Sequence, residues 1–129
     1  MSNTVLYVED NDDNIRLVER LLSKRRPDVV LTVATSGQDG IRMAQHTAPN
    51  LILLDRRLPD MLGDDVLREL KGATATAAIP VVMLSGDSAS DNGAEVLRLG
   101  AVDFLSKPFE FDQLLAVVDR FGDQTSANP

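Results

Sequence analysis

Five polar residues of this 129-residue chain stand just behind short apolar runs, and their types are those of a charged reaction site. Glu9 and Asp10 follow residues 5–8, Asp55 follows 51–54, Ser85 follows 79–84, and Lys107 comes shortly after 102–105. Three carboxylates gathered in one place repel one another, and such an arrangement usually needs a cation to persist. Oxygen ligands without His or Cys favour a hard ion, Mg²⁺ ahead of Ca²⁺. An ammonium and a hydroxyl beside that ion are suited to gripping phosphoryl oxygens, with Lys acting as the point charge. If a fold brings these residues together, they point to phosphoryl chemistry.

The elements that would do so can be read from the apolar pattern. Residues 51–54, four apolar side chains bounded by polar ones, predict a strand buried on both faces, as a central parallel strand is. Further strands are expected over 5–8, 29–34, 79–84 and 102–105, with Pro80 tolerable only at the beginning of its strand. Between them lie five helical patterns. The first, over 12–26, carries Ile15, Val18, Leu21 and Leu22 at helical spacing, acids in its first turn and Lys24, Arg25 and Arg26 in its last. The second starts from a Ser36 cap and runs to about Thr47, with Ile41, Met43 and Ala44 facing inward. The third carries Val66, Leu67 and Leu70 and stops near Gly72, after which 73–78 reads as a connection. The fourth, over 89–99, is expected to bury Val96 and Leu97 and to end at Gly100. The fifth, over 111–121, has Leu114, Leu115, Val117 and Val118 on its apolar side.

Five alternations of strand and helix predict an α/β fold with a parallel sheet covered on both faces and right-handed crossovers. The common doubly wound, flavodoxin-like order is 2-1-3-4-5, with its switch point between strands 1 and 3. That order gathers Glu9, Asp10, Asp55, Ser85 and Lys107 at one edge, whereas strand 2 contributes nothing comparable.

Composition narrows the class. A hydrophobic content of 43% and a charged content of 26% are those of a soluble globular protein, and the length suits one domain, expected over 1–122 with a flexible tail at 123–129. No apolar run approaches the length of a membrane span, and the start has no basic stretch ahead of an apolar one, so membrane and secretion readings fall away. The absence of Cys excludes disulfides and thiolate metal sites and fits a cytoplasmic protein. The net charge of -7 argues against direct nucleic-acid binding.

Five short motifs occur in order at the strand ends: Val8-Glu9-Asp10-Asn11, Leu53-Leu54-Asp55, Leu58-Pro59-Asp60, Leu84-Ser85-Gly86 and Lys107-Pro108-Phe109. Singly each is weak, but as an ordered set they are specific. From Val5 to Phe121 the chain resembles the receiver domain of two-component response regulators, of the chemotaxis-regulator kind. The resemblance implies that Asp55 is the phosphoacceptor, supplied by a histidine kinase or a phosphotransfer protein. It implies that Asp10 and Asp55 bind Mg²⁺ directly, with Mn²⁺ able to substitute, while Glu9 acts through water and the backbone carbonyl of Arg57 completes the protein ligands. Lys107 and Ser85 would each hold a phosphoryl oxygen, and the Lys107-Pro108 bond would be cis. The domain would catalyse its own phosphorylation and hydrolysis without turning over a separate substrate. Phe104 matches the family's switch aromatic, which turns inward as Ser85 is drawn to the phosphoryl group. The surface of helix 4, strand 5 and helix 5 would change for a downstream protein target or a fused output domain, and a homodimer is compatible with it. The phosphodonor would dock near Asn14, Ile15, Pro108 and Phe109.

Some positions depart from the family pattern or carry plainer readings. Phe104 lacks the hydroxyl of the commoner tyrosine. Arg56 and Arg57 stand where an apolar pair is frequent, and an Arg57–Asp87 ion pair lidding the site would slow hydrolysis of the phosphoaspartate; two solvated side chains are the alternative. Asp60, Asp64 and Asp65 read as solvated acids, His46 as a solvated helix-end residue, and residues 24–26 as helix termination. A haloacid dehalogenase-like phosphatase would need an acid where Arg57 stands. A flavin binder would need a hydroxyl- and Gly-rich loop where Glu9 and Asp10 stand. A receiver-shaped interaction module that is not phosphorylated is the third rival, and no motif favours it.

Overall fold

Five parallel strands, β1 (Asn3–Val8), β2 (Val29–Ala34), β3 (Leu51–Asp55), β4 (Val81–Ser85) and β5 (Asp103–Ser106), form one sheet in the order β2-β1-β3-β4-β5. This is the common doubly wound order expected for the fold. The computed structural model describes residues 3–86 and 93–122. The helices are α1 (Asp12–Arg25), α2 (Gly37–Thr47), α3 (Gly63–Gly72), α4 (Gly93–Arg98) and α5 (Phe111–Val117). No helix among the described residues is long and apolar enough to cross a membrane.

Alternation along the strands divides the core between the two faces of the sheet. Val5 and Tyr7, Leu51 and Leu53, and Val82 and Leu84 pack with Val18, Leu21 and Leu22 of α1 and Leu114, Leu115 and Val117 of α5. Leu6 and Val8, Ile52 and Leu54, and Val81 and Met83 pack with Ile41, Ala44, Val66, Leu67, Leu70 and Val96 of α2, α3 and α4. Because β3 and β4 are buried on both faces, their sequences are unbroken apolar runs.

Local chemistry sets the ends of the elements. The Asn11 side chain accepts from the Asn14 N–H, and Ser36 accepts from the Asp39 N–H, capping α1 and α2. Pro80 lies ahead of β4, which starts at Val81, two residues later than the apolar run suggests. There the Pro80 carbonyl accepts from the Ile52 N–H, so the ring sits where no donor is needed. β5 runs one residue later than expected, and α5 gives way after Val117 to a wider π-type turn, Val118–Gly122, instead of continuing as one α-helix to 121. The expected start of α4 at 89–92 and the tail at 123–129 lie outside the described residues. Leu97, expected inside, is 44% exposed: it is adjacent to Val96, and successive helical residues point about 100° apart, so the inward side carries Val96, with Leu99 packed just beyond the helix.

Two of the acids read as solvated have structural roles. Asp60 reaches from the loop after β3 to the start of α2, accepting from the Gly37 N–H at 2.7 Å and the Gln38 N–H at 3.0 Å. It ties two loops together, and those bonds hold its carboxyl below the usual range. Asp64 is buried and pairs with Arg56. Asp65 does remain at the surface, paired with Arg68 one turn on. Arg26 ends α1 as expected and also grips Asp119 with two nitrogens, at 2.6 and 2.7 Å. The 73–78 connection is anchored by buried Thr76, whose hydroxyl donates to the Leu70 carbonyl at 2.6 Å.

Candidate functional site

The sheet register delivers the charged residues to one place. Val8 lies beside Leu54, so Glu9 and Asp55 emerge next to each other from β1 and β3. Leu84 lies beside both Asp55 and Leu105, and Ser85 beside Ser106, with the Lys107 N–H donating to the Ser85 carbonyl at 2.5 Å. Gly63 lets α3 start against the tip of β3: its N–H donates to the Arg56 carbonyl at 2.6 Å, and a Cβ there would lie 2.5 Å from the Asp55 carbonyl oxygen. The Lys107-Pro108 peptide is cis, as the resemblance implied.

Lys107 occupies the centre of the cluster. Its Nζ is 2.8 Å from Glu9 Oε1 and 3.1 Å from Asp55 Oδ1. Glu9, Asp10 and Asp55 each offer a carboxylate oxygen, all within 4.8 Å of one another. Glu9 and Asp55 are buried, whereas Asp10 is exposed and opens the cluster to solvent. Glu9 also accepts from the Tyr7 hydroxyl at 3.0 Å, the Asn11 N–H at 3.2 Å and, more distantly, Asn14 Nδ2 at 3.5 Å.

These surroundings set the charges. Burial pushes the Asp55 carboxyl up to about 6; the Lys107 ammonium opposes this, and the neighbouring Glu9 adds to it. Burial would raise Glu9 too, but the hydrogen bond and charge of Lys107, with help from Asn11 and Tyr7, bring it below the ordinary value. Burial would lower Lys107, and the two carboxylates on it outweigh that and raise it. One ammonium among three carboxylates leaves excess negative charge, supplied entirely by oxygen donors and reachable through Asp10. The residues therefore fit a hard divalent cation.

The raised Asp55 value carries a stability effect whose sign is fixed. A folded-state value above the unfolded one means that the fold binds this proton more tightly than the unfolded chain does. The stability it lends is complete below the ordinary Asp range and is lost as pH rises through about 6. Asp55→Asn, neutral throughout, is therefore expected to stabilise the metal-free fold at pH 8 by about 1–2 kcal/mol and to lose most of that advantage near pH 4. Urea titrations in chelator at the two pH values read this directly. Equal stability of both proteins at pH 8 would count against a charge-strained site.

The remaining site candidates divide. Ser85 is buried at the tip of β4. Phe104 is partly buried against the core cluster under α2, α3 and α4. Arg57 is exposed, and its proposed partner Asp87 lies outside the described residues. Asn14, Lys107, Pro108 and Phe109, with Leu17 and Gly86, line an open cavity of about 360 Å³ beside the site; Ile15 packs against the core. His46 is exposed at the end of α2, its Nδ1 2.9 Å from the Arg42 carbonyl oxygen. Arg56, next to Asp55, forms a two-nitrogen pair with Asp64 at 2.9 and 3.0 Å and reaches Glu95 of α4 at 3.3 Å.

Tyr7 escaped the sequence reading. The signal was there: a tyrosine in an apolar strand has a polar tip to satisfy, and it lies on the same face as Glu9 two residues on.

Comparison with known proteins agrees with this geometry. A sequence model described as "Response regulator receiver domain" matches residues 5–119. The chain is 36% identical over 112 residues to the luminescence regulatory protein LuxO of Vibrio campbellii, covering 87% of this chain and 24% of LuxO. It is 36% identical over 118 residues to the response regulator PleD of Caulobacter vibrioides, covering 92% of this chain and 26% of PleD. It thus spans about a quarter of the length of these relatives. Among solved structures, the receiver domain of the sensor histidine kinase PA1611 of Pseudomonas aeruginosa, which has a magnesium ion coordinated in its active-site cleft, superposes with a TM-score of 0.83. The two are 27% identical, over 94% of this chain and 98% of that one. With the sheet order, the strand-tip acids and the lysine between them all in place, the family match settles the question of kinship: the chain belongs to the response regulator receiver domains.

Proposed function

We propose that Asp55 is the phosphoacceptor of a two-component phosphorelay and that its phosphorylation changes the surface of α4, β5 and α5 for a protein partner or a fused output domain. The observation that carries this reading is the Lys107 ammonium, in contact with both Glu9 and Asp55 within a cluster of three carboxylates at the strand tips. With its carboxyl at about 6, Asp55 is ionised at neutral pH and can act as the nucleophile. An Asp55 oxygen attacks the phosphorus of a phosphohistidine in line; the new O–P bond forms as the P–N bond breaks, and its electron pair leaves on the imidazole nitrogen. Asp10 and Asp55, the Arg57 carbonyl and, through water, Glu9 would hold Mg²⁺, or Mn²⁺ in its place. When bound, that ion supplies positive charge against the phosphoryl oxygens. Lys107 turns from the carboxylates to one phosphoryl oxygen, and the Ser85 hydroxyl holds another. The movement of Ser85 gives Phe104 room to turn further inward, altering the face above β5. Attack of water on the acyl phosphate resets the site. The donor, a histidine kinase or phosphotransfer protein, would dock at the cavity edged by Asn14, Pro108 and Phe109. Such exchange takes place in the cytoplasm and requires neither membrane nor nucleic acid.

Incubation with Mg²⁺ and acetyl phosphate, followed by intact mass measurement, tests the proposal. The native chain is expected to gain one phosphoryl group and Asp55→Asn none. A native chain that gains nothing would instead favour an interaction module that is not phosphorylated.

A further inference from the structure

Tyr7 is the one tyrosine in a chain without tryptophan, and it is fully buried beneath the site. Its hydroxyl donates to Glu9 Oε1, the same oxygen that Lys107 Nζ holds at 2.8 Å. The other Glu9 oxygen accepts from the Asn11 N–H. Glu9 is only 1% exposed, so solvent offers it little compensation if a partner leaves. Lys107 is such a partner, because it is shared with Asp55 at 3.1 Å. A phosphoryl group on Asp55 presents new, more strongly charged oxygens, and an ammonium drawn to them moves off Glu9. A buried carboxylate deprived of its cation is costly unless hydrogen bonds remain on it.

We infer that Tyr7 is a positioning residue whose hydroxyl holds the Glu9 carboxylate while Lys107 turns to the phosphoryl group, lowering the cost of reaching the phosphorylated state. This rests on the reading of Asp55 as phosphoacceptor and deepens it. The inference makes the two stages respond differently. Before phosphorylation Lys107 already sits on Glu9 Oε1, so loss of the Tyr7 hydroxyl is buffered. Afterwards the Asn11 N–H and the distant Asn14 amide are the other protein donors on it, beside the water through which it would face Mg²⁺, which is present in both stages of the comparison. A tyrosine that merely filled the core would affect both stages alike, or neither.

The test compares the native chain with Tyr7→Phe, which removes only the hydroxyl. Calorimetry reads Mg²⁺ affinity first and then, at saturating Mg²⁺, affinity for beryllofluoride, which mimics the phosphoryl group. Mg²⁺ affinity is expected to stay within about twofold, while beryllofluoride affinity falls about tenfold, the scale of one hydrogen bond to a charged group. A second readout needs no variant. With a single tyrosine and no tryptophan, the near-ultraviolet absorbance of the native chain reports this hydroxyl, and it is expected to shift to the red when beryllofluoride binds and Tyr7 takes over Glu9. Equal beryllofluoride affinities, a parallel fall in both affinities, or an absorbance that does not move on binding each overturn the role of Tyr7 and leave Asp55 as phosphoacceptor. A native chain that neither binds beryllofluoride nor gains mass from acetyl phosphate overturns both.

Discussion

Lys107→Met is expected to slow phosphorylation of Asp55 by acetyl phosphate about 10²–10³-fold while tightening the binding of Mg²⁺. The two effects have opposite signs because the ammonium plays opposite parts. Toward the phosphoryl group it is a fixed positive charge aimed where negative charge gathers, and methionine of similar length offers none. Toward a metal ion it is a competitor, in contact with Glu9 Oε1 and Asp55 Oδ1. Its removal leaves two buried carboxylates facing each other. The metal-free variant escapes that repulsion by keeping a proton on Asp55 to higher pH than the native protein, whose Asp55 sits at about 6. Because a proton on Asp55 competes with the metal ion in the variant, the gain in Mg²⁺ affinity is expected to grow as pH is raised. Stopped-flow phosphorylation and calorimetric Mg²⁺ titration at pH 8 measure both quantities. A variant that phosphorylates at the native rate, or binds Mg²⁺ more weakly, would show that Lys107 is not the charge at the centre of the site.

The second large effect concerns stability. Asp64→Ala is expected to lower the free energy of unfolding by about 2–3 kcal/mol in urea titrations. The Asp64 side chain is 10% exposed and that of Arg56 18%, and two nitrogens of Arg56 face the two oxygens of Asp64. Removing the acid leaves a guanidinium mostly out of water, with Glu95 at 3.3 Å as a more exposed partner that softens the loss. It also removes a carboxylate from the first turn of α3, where the helix dipole favours one. The double variant Arg56→Met/Asp64→Leu is expected to recover most of the loss, since replacing a whole buried pair by apolar groups costs far less than removing one member alone. A loss well under 1 kcal/mol for the single variant would place the pair among exposed salt bridges, which contribute little.

The sequence was most legible where one physical requirement dominated. The β3 run has to be apolar on both faces, so its place at the centre of the sheet and Asp55 at its tip could be read directly. The strand–helix alternation implied a parallel doubly wound sheet, whose common order 2-1-3-4-5 is the one present, and Glu9, Asp10 and Lys107 were legible from their positions behind other runs. Less legible were residues whose partners lie far along the chain. Asp60, whose carboxylate caps α2 from the loop after β3, and Asp64, paired with Arg56, have the composition of solvated acids. Nothing local distinguishes a charge that meets water from one that meets a guanidinium. Leu97 failed for a different reason: it stands next to Val96, and successive residues on a helix point about 100° apart, so of two adjacent apolar residues only Val96 faces the core. Tyr7 is hard to pick out within its strand because its ring is ordinary core; only its hydroxyl reaches Glu9.

Lys107 meets Glu9 across 98 residues of chain and Asp55 across 52. It follows β5, one of the two edge strands, which is hydrogen-bonded to β4 alone, whereas the acids stand at the ends of β1 and β3, each with a neighbour on both sides. Edge strands open locally at lower free energy than central ones. The fixed cation is thus carried by a strand with one ladder partner and the acids by strands with two, so the ammonium and the carboxylates do not share the same anchorage in the sheet.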